Sequence, residues 1–207
     1  DGVNWVSILV TQYQDNAFST SIYRISSKTP SDSAIAHAIA TAKTYGYKVI
    51  LKPHVDPLSG WRGEISMRSE ADWQAWFSSY KNFINHYAEL AQANKADLLI
   101  VGTELKGTSA RENDWRSVID GVRQRYSGAL TYAANYDEYN SINWWDAVEF
   151  IGVDAYFALS STPNPTVASL NQAWQPISRS LSDFSNSNSK KILITEVGYQ
   201  SIDGTTM

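Results

Sequence analysis

Short runs of apolar and β-branched residues recur along the chain and are separated by longer segments of helical periodicity. Most of these runs lack the strict alternation that marks an antiparallel sheet with one face in water. A continuous apolar run is typical of a parallel strand that is covered on both faces. We predict six strands, at Val3–Val10, Val49–Pro53, Leu98–Val101, Ala129–Ala134, Phe150–Val153 and Ile192–Thr195.

Four segments between the strands carry apolar residues at three- and four-residue steps, which is the spacing of one helix face. In the longest segment, Ser69 and Asp72 form a capping-box-like start. Pro176 should kink or interrupt the last helix, and the polar run SNSNS at 185–189 indicates a flexible connection. The predicted helices are Ser33–Tyr45, Asp72–Asn94, Arg111–Tyr126 and Val167–Phe184.

The repeated βα order predicts a parallel α/β sheet with right-handed crossovers. The first strand is followed by TQYQDN, so the Gly-rich loop of a nucleotide-binding doubly wound sheet is missing. A (β/α)8 barrel takes about 250 residues, and six units in 207 residues have that repeat length. We therefore predict one domain over residues 1–207, a (β/α)8 TIM barrel that lacks one unit at each end and leaves two aggregation-prone edges.

Composition excludes several classes of partner. The net charge is -4 without a Lys/Arg-rich block, which argues against nucleic acid or an anionic membrane surface as partner. The chain has no cysteine for disulfides, thiolate metal sites or a nucleophile. No apolar run approaches the roughly 18 residues of a membrane span. The start at Asp1, with neither an initiator Met nor a signal-peptide pattern, indicates a processed or trimmed chain.

Aromatic residues are numerous, with 8 Trp, 12 Tyr and 6 Phe. Several lie in polar segments, where a core does not obviously require them. Flat side chains suit the apolar faces of sugar rings, although the packing of helices on a sheet must account for most of them.

Two predicted strands end in the same way. LLIVGTELKG and KILITEVGY each run from an apolar strand through Thr to a glutamate, Glu104 and Glu196. In (β/α)8 enzymes the active site lies at the carboxyl ends of the strands, so the two glutamates can face each other. Carboxyl groups about 5 to 5.5 Å apart allow retaining glycoside hydrolysis, in which one attacks the anomeric carbon and the other protonates the departing oxygen. A bond to a helix N-terminus or an arginine is the alternative for either glutamate.

Other polar and aromatic side chains also follow the predicted strands. His54 suits a donor to a sugar hydroxyl or an orienting group for a carboxylate, and His54-Val55-Asp56 could alternatively contribute to a metal site. No other histidine lies at a strand end, so we predict no metal; His37 and His86 lie within helices and are expected to be structural. The full set is Tyr13, Gln14, Asp15, His54, Asp56, Asn135, Tyr136, Asp137, Asp154, Tyr156 and Tyr199.

The candidates for substrate binding include Trp61, Arg62 and Asn135. Trp61 suits a stacking platform, or it packs back on its own segment; Arg62 suits a donor to hydroxyls. Asn135 suits a hydroxyl-binding amide, or it caps the next segment. Trp144 and Trp145 could line a cleft or pack a helix on the barrel. The chain has no GxSxG nucleophile elbow and no phosphate loop, and hydrolysis by two carboxylates needs no cofactor.

Seven segments, taken together, resemble the β-mannanases of glycoside hydrolase family 113. The resemblance covers nearly the whole chain and implies a retaining (β/α)8 enzyme, with the first and last predicted strands as its second and seventh. The segments are VNWVSILVTQYQDN, LKPHVD with WRGEI, WFSSYKNFINHYAELA, VGTEL, YAANYD, WWDAVEFIGVDAYF and ITEVGY.

The resemblance implies a role for individual residues. Glu104 in VGTEL is then the acid/base, and Glu196 in TEVGY is the nucleophile. Tyr156 in DAYF matches a tyrosine that bonds the nucleophile, and Tyr199 lies in the same motif as Glu196. Thr103 stands where many members of the clan have Asn, so a contact to the sugar 2-hydroxyl must come from another residue or be absent.

The expected substrate is β-1,4-linked mannan or glucomannan, and the expected compartment is outside the cell, with the cytoplasm as the alternative. Two other functions stay open. The same residues could cleave another β-linked glycan, such as cellulose or short mannosides. The chain could also be a non-catalytic carbohydrate-binding domain. The missing strands could come from a longer parent chain.

Overall fold

The computed structural model describes residues 2–199, which form one sheet and the helices packed on it. All six strands are parallel and pair in sequence order, from β1 to β6. A doubly wound sheet reverses its strand order, whereas a (β/α)8 barrel does not. The predicted barrel-type α/β fold is therefore confirmed, and within the described residues β1 and β6 are the edges of an open sheet. The strands are β1 (Trp5–Gln14), β2 (Lys48–Pro57), β3 (Leu98–Thr103), β4 (Ala129–Asn135), β5 (Phe150–Asp154) and β6 (Ile192–Glu196).

The strands extend further at their carboxyl ends than the apolar runs indicate. β1 starts at Trp5 rather than Val3 and continues to Gln14, and β2 continues to Pro57. These extensions pair in continuous register, from Val10 opposite Pro53 to Gln14 opposite Pro57. Several of their residues are polar, so an apolar pattern alone ends each strand too early.

Alternate residues of the strands pack on opposite faces of the sheet. Leu99 and Val101 of β3 belong to the large core under the helices, together with Trp76 and Trp115. Leu98 and Ile100 point the other way, into a smaller cluster inside the barrel. The interior face is therefore apolar at the base of the strands and becomes polar only toward their carboxyl ends, where the candidate site residues lie.

Most of the aromatic residues are accounted for by the core. Trp144 and Trp145 are buried, and Trp144 stacks on Trp115 with ring centroids 5.1 Å apart. Tyr132 packs edge-on against Trp115 at 5.2 Å. The packing interpretation of Trp144 and Trp145 is therefore confirmed, and the interpretation that they line the cleft is wrong.

Four α-helices cover the outer face, and each begins close to its predicted start. Ser69 caps α2, since its hydroxyl accepts a hydrogen bond from the backbone N–H of Asp72 at 3.1 Å. Ser31 and Thr166 cap α1 and α4 in the same way. The helices are α1 (Asp32–Thr44), α2 (Glu70–Ala93), α3 (Glu112–Arg123) and α4 (Val167–Asn188).

An interruption of α4 at Pro176 and a flexible connection at SNSNS are both wrong. The helix is not interrupted at Pro176, and it extends through Asn188, so most of the SNSNS run forms its last turns rather than a flexible connection. A proline removes one N–H donor, and α4 is stabilised elsewhere by Leu181 and Phe184, which pack on the core. The helix ends at Ser189, which takes a left-handed φ of 52°. Within residues 2–199, no helix combines the length and the apolarity that crossing a membrane requires.

Candidate active site

Glu104 follows β3 in a backbone conformation that is unusual for its residue type. Its φ is 50°, in the left-handed region that costs a non-glycine residue on the order of 1 kcal/mol. Its backbone N–H donates to the carbonyl of Ala133 at 2.8 Å, and the next N–H, of Leu105, donates to the Tyr132 hydroxyl at 2.7 Å. Such strain persists only where neighbouring groups hold it, and it is concentrated at functional sites.

The side chain of Glu104 is half-buried and accepts a hydrogen bond from Asn135 Nδ2 at 3.0 Å. Burial raises the pKa of this carboxyl group above its usual range, and the charge of Glu196 acts in the same direction. Arg62, Trp61 and Lys52 act against this shift but do not cancel it. The environment therefore favours the protonated form, which a general acid needs.

Glu196, the last residue of β6, has the opposite environment. Its Oε1 accepts from Lys52 Nζ at 2.5 Å, and its Oε2 accepts from the Tyr156 hydroxyl at 2.8 Å. Burial acts to raise the pKa of Glu196, but the bonds from Lys52 and Tyr156 and the charge of Arg62 outweigh it, so the pKa lies below its usual range. The environment favours the ionised form, which a nucleophile needs.

Lys52 is a site residue that the sequence analysis did not identify. It lies in the middle of β2 with its side chain only 1% exposed. Besides Glu196 it contacts Asp154 Oδ1, at 3.3 Å. A lysine inside the apolar run VILKPHV is the signal that could have revealed it, because buried lysines almost always have a charged partner.

Asp154, a predicted strand-end residue, is fully buried and pairs with Glu196 in the β5–β6 register. Burial raises its pKa to about 6, while Lys52 and a hydrogen bond from Thr195 act in the opposite direction. The Thr195 hydroxyl donates to Oδ1 at 2.6 Å. Asp154 is therefore a second carboxyl partner of Lys52, beside Glu196.

Arg62 lies between two other strand-end residues, Asp56 and His54. It contacts Asp56 Oδ1 with Nε at 2.8 Å and donates from Nη1 to His54 Nδ1, also at 2.8 Å. A guanidinium group cannot accept a hydrogen bond, so Nδ1 is unprotonated and the proton of the neutral imidazole is on Nε2. Burial, Arg62 and Lys52 lower the pKa of His54 to about 2.

The two side chains of the alternative metal site, His54 and Asp56, are both bound by Arg62. Among residues 2–199, no group of three or more His, Cys, Asp and Glu side chains could hold a metal ion. His54 Nε2 is buried and has no partner within the described chain. His54 can therefore donate this hydrogen to a ligand.

The other predicted residues lie at the mouth of the barrel with different exposures. Trp61 is 41% exposed, and its indole ring covers the backbone of Gly63, so it packs on its own segment while one face stays accessible. Tyr199 is exposed, and its hydroxyl donates to the carbonyl of Phe157 at 3.0 Å. Tyr136 packs edge-on against Phe157 at 5.3 Å.

Gln14 and Asp15 do not join this group. Gln14 is buried, and its Oε1 accepts a hydrogen bond from the Trp76 indole at 2.9 Å, so it faces α2 rather than the barrel interior. Asp15 accepts a hydrogen bond from the Tyr23 hydroxyl. The one-residue alternation of a strand separates Gln14 from the interior face, which a list of strand ends does not take into account.

Known proteins resemble this chain in sequence and in fold. The sequence profile of Glycoside Hydrolase Family 113 matches residues 1–207. A solved complex of a GH113 β-1,4-mannanase is 27% identical with a TM-score of 0.88, and the match covers 99% of this chain and 64% of that one. The GH113 β-mannanase AaManA from Alicyclobacillus acidocaldarius, in complex with ManMIm, is 30% identical with a TM-score of 0.89; here the coverage is 98% and 63%.

A structure of fungal β-1,4-galactanases is 13% identical with a TM-score of 0.62, covers 96% of this chain and 63% of that one, and shares the fold alone. The search of curated proteins found no match. The chain therefore spans slightly less than two thirds of the length of the solved mannanases that it resembles.

Proposed function

The chain belongs to glycoside hydrolase family 113, and from this premise we propose that it is the larger part of a retaining glycosidase that cleaves β-1,4-mannosidic bonds in mannan or glucomannan. The observation that carries the proposal is the contrast between Glu104 and Glu196. Two glutamates at one end of the sheet have pKa values shifted in opposite directions. Two carboxyl groups whose environments differ in this way divide the roles of acid and nucleophile between them.

In the first step, the ionised carboxylate of Glu196 attacks the anomeric carbon while Glu104 gives its proton to the glycosidic oxygen. The bond between that carbon and oxygen breaks, the shortened glycan leaves, and a glycosyl ester of Glu196 remains. The ammonium of Lys52 and the hydroxyl of Tyr156 keep Glu196 ionised before the attack. The Nδ2 group of Asn135 donates to the Oε1 of Glu104 and holds that carboxyl group in place.

In the second step, Glu104 has lost its proton and acts as a base. It takes a proton from a water molecule as that water attacks the anomeric carbon, and Glu196 leaves as a carboxylate. Two inversions at one carbon give net retention. Lys52 and Tyr156 favour this step as well, because they stabilise the negative charge that returns to Glu196.

We assign the sugar contacts to the residues that surround the two glutamates. His54 donates its free Nε2–H to a hydroxyl group, and Arg62 is held by Asp56 with its remaining N–H groups available. Asn135 and Tyr156 act indirectly, because they bond Glu104 and Glu196. The accessible faces of Trp61 and Tyr199 provide apolar surface for sugar rings.

The proposed activity belongs to a barrel with all eight strands, and the further strands would come from a longer parent chain. The exposed apolar residues Trp5 and Leu9 on edge strand β1 support this proposal, because further strands would cover them. Secretion is proposed from the substrate alone, since a polysaccharide does not cross a membrane unaided.

The function is tested by removing each carboxyl group in turn and offering azide as a small nucleophile. Glu196→Ala should abolish the hydrolysis of mannan, and azide should restore turnover of an activated β-mannoside with inversion. Glu104→Ala should yield the azide product with retention, because azide then attacks the glycosyl ester. Normal hydrolysis of mannan by Glu196→Ala would overturn the assignment.

The same preparation separates the competing functions. Cleavage of cellulose in preference to mannan would assign the site to another β-linked glycan. Tight binding of mannooligosaccharides by the wild-type protein, without any hydrolysis, would favour a carbohydrate-binding domain. A crystal structure should place the carboxyl groups of Glu104 and Glu196 about 5 to 5.5 Å apart, the separation of retaining enzymes.

A further inference from the structure

A third glutamate lies beside Glu104 and has no part in the mechanism described above. Glu138 follows β4 and is fully buried. Its Oε1 accepts a hydrogen bond from the Tyr132 hydroxyl at 2.8 Å, and its Oε2 accepts one from the backbone N–H of Asn135 at 3.1 Å. Burying a carboxyl group costs free energy unless its oxygens accept hydrogen bonds. Here both oxygens accept one, and the two donors belong to Tyr132 and Asn135, which also bond Leu105 and Glu104.

Two paths of hydrogen bonds connect Glu138 to the acid/base residue. Through Asn135, the path continues from Nδ2 to the Oε1 of Glu104 at 3.0 Å. Through Tyr132, the path continues to the backbone N–H of Leu105 at 2.7 Å, directly after the left-handed Glu104. One buried carboxyl group is thus linked to both the side chain and the strained main chain of Glu104.

We propose that Glu138 is a positioning residue for Glu104. By binding the backbone N–H of Asn135, it keeps the side-chain amide of Asn135 against the Glu104 carboxyl group. By binding the Tyr132 hydroxyl, it holds that hydroxyl against the turn that presents Glu104. The inference rests on the proposed hydrolase function, since it concerns the group that transfers the proton. Glu138 needs no contact with substrate. Burial raises its pKa to about 7, and the charge of Glu104 acts in the same direction.

The opposite end of β4 offers a matched control. Glu149 is also a glutamate that accepts a hydrogen bond from a β4 backbone N–H, that of Leu130 at 2.6 Å, and it pairs with Arg123. It lies at the amino end of the strands, away from Glu104. Glu149→Gln therefore makes the same chemical change as Glu138→Gln, at a glutamate that also bonds the backbone of β4. It leaves the two proposed hydrogen-bond paths intact.

The first test is a double-mutant cycle on the hydrolytic protein. Glu138→Gln should lower kcat by about tenfold or more and leave KM nearly unchanged, because positioning of the acid matters in the transition state. Combined with Asn135→Ala, it should cost clearly less than the product of the two single losses, since both changes act on one path. Full additivity, or an equal loss in Glu149→Gln, would overturn the proposal.

The second test needs no substrate, so it remains decisive even if the wild-type protein hydrolyses no glycan and the proposed function fails. The side-chain amide signals of Asn135 in a 15N–1H spectrum should shift in Glu138→Gln and stay in place in Glu149→Gln. Unchanged Asn135 signals in a folded Glu138→Gln protein would contradict the proposal. If that variant does not fold, Tyr132→Phe keeps the ring and removes the hydroxyl; it should shift the Leu105 amide signal, and an unshifted signal would overturn the proposal.

Discussion

Lys52 is the residue that distinguishes the carboxyl groups of Glu104 and Glu196 most directly, because it binds Glu196. Its ammonium group is buried between Asp154 and Glu196, and burying a charge costs several kcal/mol unless ionised partners compensate for it. Glu196 and Asp154 compensate for the charge of Lys52 to different extents. The bond to Glu196 is 2.5 Å long and the bond to Asp154 is 3.3 Å long, and burial moves the pKa of Asp154 to about 6 despite the lysine.

The pH dependence of hydrolysis should change in a defined direction when this lysine is removed. Activity requires ionised Glu196 and protonated Glu104, so kcat/KM rises with pH through the lowered pKa of Glu196 and falls through the raised pKa of Glu104. Lys52→Met removes the main group that lowers the pKa of Glu196. The acid limb should therefore move to higher pH, and at pH values well below this limb kcat/KM should fall by about 10- to 150-fold, the equivalent of a charge-assisted hydrogen bond of about 1.5–3 kcal/mol.

Lys43→Met is the control for this prediction. Lys43 also pairs with an aspartate, Asp97 at 2.9 Å, but it lies on α1 near the amino ends of the strands. Its removal should leave both limbs of the pH profile in place. An acid limb at the wild-type position in Lys52→Met would show that Tyr156 alone keeps Glu196 ionised.

The residues of the site differ in how far the sequence predicts them. Glu104 and Glu196 could be identified because each follows an apolar strand and the same Thr-Glu pattern occurs twice. Lys52 and Glu138 could not, because their roles come from contacts that a local pattern does not contain. Lys52 and Glu196 are 144 positions apart in the chain. Only the folded sheet brings them together.

At the scale of a single element, helix α2 depends on the residue that caps its start, Ser69. The Ser69 hydroxyl accepts from the N–H of Asp72 and donates to the Asp72 carboxylate at 2.7 Å. Ser69→Ala removes both bonds and should lower the free energy of unfolding by about 1 kcal/mol, the usual value of an N-cap. Urea denaturation followed by circular dichroism measures this loss as a lower midpoint at an unchanged slope.

Ser78→Ala provides the comparison within the same helix. Ser78 is exposed in the middle of α2, where alanine is a slightly better helix former than serine. Its midpoint should equal or slightly exceed that of the wild type. If Ser69→Ala behaves like Ser78→Ala, the cap contributes nothing and the start of α2 is held by packing alone.

Every predicted helix and strand is present, and the errors lie where local chemistry and tertiary packing disagree. The apolar pattern ended β1 at Val10, although pairing with β2 carries the strand through four more residues to Gln14. Pro176 and the run SNSNS favour an interruption locally, yet α4 includes both because its apolar face packs on the core. Tertiary contacts override weak local preferences in both cases.

At the scale of the whole molecule, the order of elements predicts the architecture without any long-range information. Repeated βα units are compatible with only a few topologies of a parallel sheet. The absence of a phosphate loop removes the nucleotide-binding doubly wound sheet, which is the main alternative to the barrel. The division of the interior into an apolar base and a polar mouth also follows from the pattern, because the apolar residues Leu98 and Ile100 of β3 precede Glu104, which follows the strand. The relative placement of the two carboxyl groups does not, since it depends on the curvature of the sheet.

The open sheet edge should govern how this chain of 207 residues behaves in solution by itself. Among the described residues β1 pairs with a strand on one side only, and its apolar side chain Leu9 is 52% exposed; exposed edges of this kind pair with other chains. We expect concentration-dependent association in light scattering coupled to size-exclusion chromatography. Leu9→Lys should reduce that association, because a charged side chain on an edge strand opposes pairing. Val167→Lys, at the exposed first residue of α4, adds the same charge outside β1 and should leave the association unchanged. Equal solubility gains in the two variants would show that net charge, rather than the β1 edge, controls the association.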